Sequence, residues 1–307
     1  MSELTADIIC RTIFSQSLAG QTARDVFESF GEFEDQVASV NLWQLIVGKP
    51  WAEVRQPASV LAACERIRAH IGQLLDARLA RDDAPDDIVS AIAAAEDPET
   101  GVPFTRDELI DQIGVFFLAG HETTASVLTW VFFILAERPE IAALVREEIQ
   151  AVVGHAPLEF EHVKQLPVIR SVFREALRLY PPITFIPRVA AETTTIGGRR
   201  VRRGAMLMLS PWTAHRSESL WARASEFDPM RFHRDSEAQA EGPFMSFGLG
   251  PRICVGAAFA TIESTLIIAS LVREFDVRVE HPERVRPVAR LTTRPAEEIR
   301  VRVELRE

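Results

Sequence analysis

Between Phe247 and Gly256 the chain reads Phe-Gly-Leu-Gly-Pro-Arg-Ile-Cys-Val-Gly. One thiol, Cys254, ends a glycine-rich turn just ahead of an Ala/Ile/Leu-rich run, Ala257 to Val272, that reads as a helix. The positive end of a helix dipole favours thiolate over thiol. Gly248, Gly250 and Gly256 let the backbone approach a flat ligand and take conformations other residues avoid. Turn N–H groups can then point at the sulfur. Arg252 is placed to pair with a carboxylate on the same ligand, and Phe247 to cover the sulfur against water. A second cluster is Ala119-Gly120-His121-Glu122-Thr123-Thr124. An acid beside a hydroxyl suits proton delivery. Gly120 weakens the helix there, and Thr123 lies within reach of the Ala119 carbonyl, four residues back. A third is Glu175 with Arg178, an i,i+3 pair. Each has a plainer reading: a buried structural cysteine, a polar stretch facing solvent, a surface ion pair worth ~0.2–0.5 kcal/mol.

The elements that must hold these groups are mostly helical. Leu4 to Ser15 has helical spacing, with Leu4, Ile8, Ile9, Ile13 and Phe14 on one face. Residues 22–47 read as helix, and Gly48-Lys49-Pro50 as a turn. Val60 to Arg81 is amphipathic, with Leu61, Ile67, Ile71, Leu74, Leu75 and Leu79 inward. Asp86 or Asp87 caps a short helix reaching Ala95. Thr105 and Glu108 form a capping box before a helix running to about Arg138, roughly 50 Å at ~1.5 Å per residue. Helices over Ile141–Val153 and Val168–Leu179 follow, the second stopped by Pro181-Pro182. Short β-type runs come next: Ile183–Ile186, Thr193–Ile196, Arg200–Val201 and Met206–Leu209. Residues 211–246 show no clear period and read as an ordered loop or short helices. Val277–Val279 and Ile299–Leu305 read as late strands.

The chain has 307 residues, 47% hydrophobic and 25% charged, so it is globular rather than disordered. A formal net charge of −10 argues against nucleic acid as the main partner. Cys10, Cys64 and Cys254 are widely separated and odd in number, which indicates neither a disulfide framework nor a zinc cluster. A reducing cytoplasm fits them. The N-terminus lacks the basic-then-apolar order of a signal peptide. Ile113 to Ala136 is apolar enough to raise the question of a membrane span, but a Glu–His pair near its middle is costly in lipid, so a buried core helix with no membrane anchor is expected. No G-x-G-x-x-G and no P-loop occurs, so a fused reductase or ATPase is not expected.

A thiolate held in such a turn suits haem iron, onto which axial sulfur pushes electron density. The pattern Phe-x-x-Gly-x-Arg-x-Cys-x-Gly resembles the haem-binding signature of the bacterial-type cytochrome P-450 monooxygenases. Ala-Gly-x-Glu-Thr resembles the same family's distal motif, and Glu-x-x-Arg its buried pair. The order acid–threonine, Glu-x-x-Arg, arginine loop, cysteine matches too. The resemblance implies a mainly α, orthogonal helical fold with small β-sheets, as one haem-thiolate domain over 1–307 that is incomplete at the N-terminus. It implies haem b, with Cys254 as axial iron ligand and Phe247, Gly248, Gly250, Arg252, Gly256 and Arg188 around the cofactor. Ala119 and Gly120 would give room over the iron. Glu122 and Thr123 become the catalytic acid and distal threonine, and Arg231 completes a structural triad with Glu175 and Arg178. Phe116, Phe117, Ile183, Thr184, Phe185, Ile186 and Thr292 would line the substrate pocket. The implied activity inserts one oxygen atom of O2 into a small apolar organic substrate in the cytoplasm. Electrons come from a separate NAD(P)H-linked ferredoxin or flavin reductase. The early Trp-x-x-x-Arg of the family is missing. Two alternatives therefore stay open: a haem-free remnant acting as a non-catalytic module, and a peroxide-dependent or isomerising haem-thiolate enzyme.

Overall fold

Thr105 and Glu108 form the expected capping box. The Thr105 N–H donates to Glu108 Oε2 at 2.7 Å, and the Glu108 N–H donates to Thr105 Oγ1 at 3.4 Å. From it runs a helix of 32 residues, Arg106–Glu137. Two-thirds of its most apolar window is buried inside the protein (67%), as in a core helix. The computed structural model describes residues 1–37, 56–81, 85–97, 100–233 and 242–306. The chain divides into two compact units, Met1–Ala125 and Ser126–Glu307, and the long helix contributes residues to each.

In the first unit, α1 (Ser2–Phe14) buries Ala6, Ile9, Cys10, Ile13 and Phe14. Helix α2 (Gln21–Val37) packs against α3 (Ala58–Leu79). The expected continuation of α2 to residue 47 and the turn at Gly48-Lys49-Pro50 lie outside the described residues. Leu61 and Leu79, expected inward, are each 51% exposed. The buried series of α3 is Val60, Ala63, Ile67, Ile71, Leu74, Leu75 and Arg78, and both leucines sit one position off that stripe. Of the two candidate caps, Asp87 takes the Ser90 N–H at 2.9 Å and starts α4 (Ile88–Ala93). Its other oxygen accepts from Arg78 Nε at 2.6 Å and from the Ser15 hydroxyl at 3.0 Å. One buried carboxylate thus ties α1, α3 and α4 together. The long helix is α5.

In the second unit, α6 (Pro139–Val152) and α7 (Pro167–Leu179) each open on a proline at the first helical position, where the missing N–H costs nothing. Both pack against α9 (Ala257–Glu274). A one-turn helix, α8 (Pro211–Ala214), is capped by Ser210. Among the described residues, eight short strands form four antiparallel pairs. They are β1 (Ile186–Val189) with β4 (Met206–Leu209), β2 (Thr194–Ile196) with β3 (Arg199–Val201), β5 (Phe275–Val279) with β8 (Val301–Leu305), and β6 (Pro287–Ala289) with β7 (Thr293–Pro295). Gly197 and Gly198, with φ of 54° and 75°, make the tight turn between β2 and β3. The expected strand at Ile183 begins only at Ile186, after the Pro181-Pro182 corner. Strands β6 and β7 escape the sequence reading because each is three residues long and carries a proline.

Candidate functional site

Cys254 is exposed at the end of a loop that its own backbone closes. The Cys254 N–H donates to the Phe247 carbonyl at 2.7 Å, and the Gly248 N–H to the Met245 carbonyl at 2.9 Å. The turn needs left-handed backbone at Gly248 (φ 73°) and Gly250 (φ 71°), which glycine adopts without strain. Gly250–Arg252 forms a short 3-10 turn, and Gly256 caps α9. A Cβ on Gly256 would make only ordinary contact with the Cys254 sulfur, at 3.9 Å. Leu249, Ile253 and Val255 around the thiol are 59%, 59% and 85% exposed. That is an apolar rim about one sulfur. Phe247 is half-buried and packs against Phe244. Arg252 is exposed on the same turn. Arg188 lies on β1, also exposed, with its guanidinium bonded to the Pro187 carbonyl at 2.8 Å.

The loop rests on a buried ionic cluster. Glu175 and Arg178 are fully buried, and Arg231 is nearly so. Arg178 meets Glu175 through two bonds of 2.8 Å, and Arg231 Nε donates to Glu175 Oε1 at 3.3 Å. Arg178 also donates to the carbonyls of His215 and Ala224, both at 2.6 Å, and of Glu226 at 2.9 Å. Arg231 donates to the Arg223 carbonyl at 2.9 Å. The three side chains therefore pin the irregular 211–232 segment to α7. A surface ion pair would do none of this. Two further residues complete the anchoring: Ser246, which no motif marks, and His215, which lies in a family-like stretch before Trp221 and reads equally as a satisfied loop histidine. The Ser246 hydroxyl donates to the Leu177 carbonyl at 2.8 Å, and buried His215 bridges Arg178 and Met245.

In the first unit, α5 presents two different faces at the second cluster. Thr123 donates to the Ala119 carbonyl at 2.7 Å, the bond its spacing suggests. Ala119 is exposed and Thr123 half-exposed. Glu122 turns inward and is buried beside His121 and Glu34 of α2. One ligand-type atom from each of the three lies within 4.8 Å of the others. His121 is structural in its packing: its Nδ1 is 2.8 Å from the Phe117 carbonyl, and its ring touches Phe27, Phe30 and Phe117. The notch at Gly120 is filled from within the protein. A Cβ there would meet Ile9 Cδ1 at 2.6 Å, so the missing side chain makes room for α1.

The residues expected around a substrate separate in the same way. Thr184 and Phe185 line a cavity of about 270 Å³ with Trp212, Pro287, Val288, Ala289 and Thr293. Of the late turn Leu291-Thr292-Thr293, expected on that wall, Thr293 lines the cavity and Thr292 is buried. Ile183 is exposed just outside and Ile186 opens β1. Phe117 is fully buried and stacks on Phe30 within the first unit, whereas Phe116 is half-exposed.

Known proteins resemble the chain in sequence and fold. The sequence model described as Cytochrome P450 matches residues 1–303. The chain is 32% identical to cyclooctatin synthase of Streptomyces melanosporofaciens, with 94% of the chain and 63% of that protein aligned. It is 32% identical to pentalenene oxygenase of Streptomyces avermitilis, over 97% of the chain and 66% of that protein. It therefore spans slightly less than two-thirds of the length of these curated relatives. Its fold superposes on cyanobacterial CYP120A1 with retinoic acid bound, with a TM-score of 0.86, 24% identity, and 99% and 68% of the two chains covered. A cytochrome P450DA heme domain gives a TM-score of 0.84 at 23% identity, covering 100% and 67%. These two likenesses establish the fold.

Proposed function

Because the chain belongs to the cytochrome P450 family, we propose that it serves as a haem-thiolate monooxygenase in which Cys254 is the axial ligand. The observation that carries this reading is an exposed thiol on a glycine turn, closed by the Phe247 carbonyl and rimmed by Leu249, Ile253 and Val255. This donor and its apolar rim fit haem b, the cofactor of the family. When bound, haem supplies dioxygen activation, to which an axial thiolate contributes electron density.

The chain's own residues have separate tasks. Phe247 shields the sulfur from water. Arg252 and Arg188 offer guanidinium groups for carboxylates on the ligand. Thr123 anchors its hydroxyl proton on the Ala119 carbonyl and keeps its oxygen lone pairs open to a further donor. Glu122, buried beside His121 and Glu34, is the acid the distal motif supplies next to Thr123. Thr184 and Phe185 contribute apolar and hydroxyl surface to the substrate wall. The substrate class is an apolar organic molecule; two relatives are named for pentalenene and for cyclooctat-9-en-7-ol. Electrons come from a separate ferredoxin or flavin reductase, and the setting is the cytoplasm.

The deciding experiment is the carbon monoxide difference spectrum of the dithionite-reduced protein purified with haem supplied. A strongly red-shifted Soret band that disappears in Cys254→Ala is the expected result. The same band in Cys254→Ala overturns the ligand assignment.

A further inference from the structure

We propose that His215 is a positioning residue that fixes the Cys254 loop to α7 as a neutral imidazole protonated at Nδ1. The inference rests on the reading of Cys254 as the functional thiol, but its geometry stands within the second unit alone. His215 follows α8 and is fully buried. Its Nε2 lies 2.9 Å from the Met245 backbone nitrogen, and its Nδ1 lies 3.0 Å from the Arg178 carbonyl oxygen. An amide N–H can only donate, so Nε2 must be the unprotonated acceptor. A carbonyl can only accept, so Nδ1 must carry the hydrogen. These two bonds are satisfied together by one state, a neutral ring of one tautomer, and the Pro243 carbonyl also faces the ring.

That ring holds the loop at its root. Met245 gives its N–H to His215 and its carbonyl to Gly248, while its neighbour Ser246 bonds Leu177. Two residues on, the Phe247 carbonyl receives the Cys254 N–H. The His215 ring also stacks on Phe244 at 5.7 Å and 8°, and meets Trp221 edge-on at 5.9 Å. Arg174 covers the Phe244 ring at 5.3 Å. Arg178 thus serves twice: its guanidinium holds the triad, and its carbonyl holds His215. Through Arg178, the buried triad and the thiol loop share one support.

Protonation breaks this support. Imidazolium is a donor at both nitrogens, so it faces the Met245 N–H donor with no acceptor to offer. Among the described residues the charges acting on the ring are cationic: Arg178 on α7 and Arg216, the next residue in the chain. Burial, the largest effect, pushes the His215 pKa down to about 4, and the Arg178 and Arg216 charges add to it; the bond to the Arg178 carbonyl is the main opposing effect and one to the Pro243 carbonyl a smaller one. A histidine held neutral in this way stabilises the fold fully above its unfolded pKa near 6.5, and the contribution fades as pH falls towards 4.

The test compares the wild type with His215→Phe, which keeps a ring but loses both bonds, and His215→Asn, which keeps one donor and one acceptor. Amide hydrogen exchange on the haem-free chain is the primary readout. His215→Phe is expected to speed exchange at Met245 and Cys254 by about tenfold or more, with α6 amides unchanged, and His215→Asn to recover part of the protection. Unchanged protection at Met245 and Cys254 in His215→Phe overturns the proposal. Nitrogen NMR of the wild-type ring keeps it open to refutation even if the variant does not fold. The expected state is neutral and Nδ1-protonated at about pH 5; an Nε2-protonated tautomer or an imidazolium at that pH sinks the idea. In haem-loaded protein, His215→Phe should lose at least half of the red-shifted Soret band. If the wild type shows no such band, the haem-thiolate reading fails while the exchange and NMR results still decide the role of His215.

Discussion

Glu175 is the residue on which the most buried charge depends. Its two oxygens take Arg178 twice, Arg231 once, and the Asp228 N–H at 2.9 Å. Removing one partner of a buried ion pair leaves the other charge without compensation, and typically costs about 3–5 kcal/mol. Glu175→Gln should therefore lower the urea midpoint of the second unit by a corresponding amount. A loss below about 1 kcal/mol, the range of exposed pairs, would contradict the buried-triad account. Thr123 makes a different prediction. Its bond to Ala119 is half-exposed and local, so Thr123→Ala should leave stability within about 0.5 kcal/mol. Its expected effect is on coupling, with less product per dioxygen consumed; unchanged coupling removes it from proton delivery.

At the scale of elements, α1 and α5 meet through a missing side chain. Glycine inside a helix costs roughly 1 kcal/mol relative to alanine, and at Gly120 an added Cβ would lie 2.6 Å from Ile9 Cδ1, so the glycine accommodates that side chain. Gly120→Ala in the wild type should be neutral or destabilising by up to about 3 kcal/mol, since an overpacked core forces side chains off their rotamers. In an Ile9→Ala background the same change should stabilise by roughly 1 kcal/mol, as the helix-propensity gain is then unopposed. A double-mutant cycle by thermal unfolding reads the sign directly, and an equal effect in both backgrounds rules out the contact. The α1–α3–α4 junction depends on Asp87 in a similar way. Burial works to raise the Asp87 carboxyl, but bonds from Arg78, the Ser90 amide and Ser15 outweigh it and hold the pKa below 3.8.

Across the whole molecule, these two titrations should separate the acid responses of the units. His215 binds a proton more readily unfolded than folded, so the second unit loses stability as pH falls from about 6.5 towards 4. Asp87 has a depressed folded pKa, so its contribution in the first unit is kept above 3.8 and lost only as pH falls further. Hydrogen exchange followed from pH 7 downward should show the second unit loosening first. Simultaneous loosening, or the reverse order, contradicts this assignment of the acid-sensitive groups.

The sequence by itself determined the helices, their caps and the identity of the chemical groups. Capping boxes, prolines at helix starts and apolar spacing are local, and local energetics place them: Thr105–Glu108, Asp87, Pro139 and the Thr123–Ala119 bond are all found as spacing suggests. The Cys254 turn is equally local, because only glycine takes its positive φ angles without strain. Tertiary structure decided which face of each helix is inside. Leu61 and Leu79 are apolar but lie off the buried stripe, and the Gly120 notch belongs to Ile9. It also decided what Glu175, Arg178 and His215 do. A carboxylate three residues from a guanidinium is only a surface pair until carbonyls from Ala224 and Glu226 come to meet it. A lone histidine carries no signal until Arg178 and Met245, 37 and 30 residues away, present an acceptor and a donor to its two nitrogens. Burial and partnership of this kind arise between segments distant in the chain, and no window of sequence contains them.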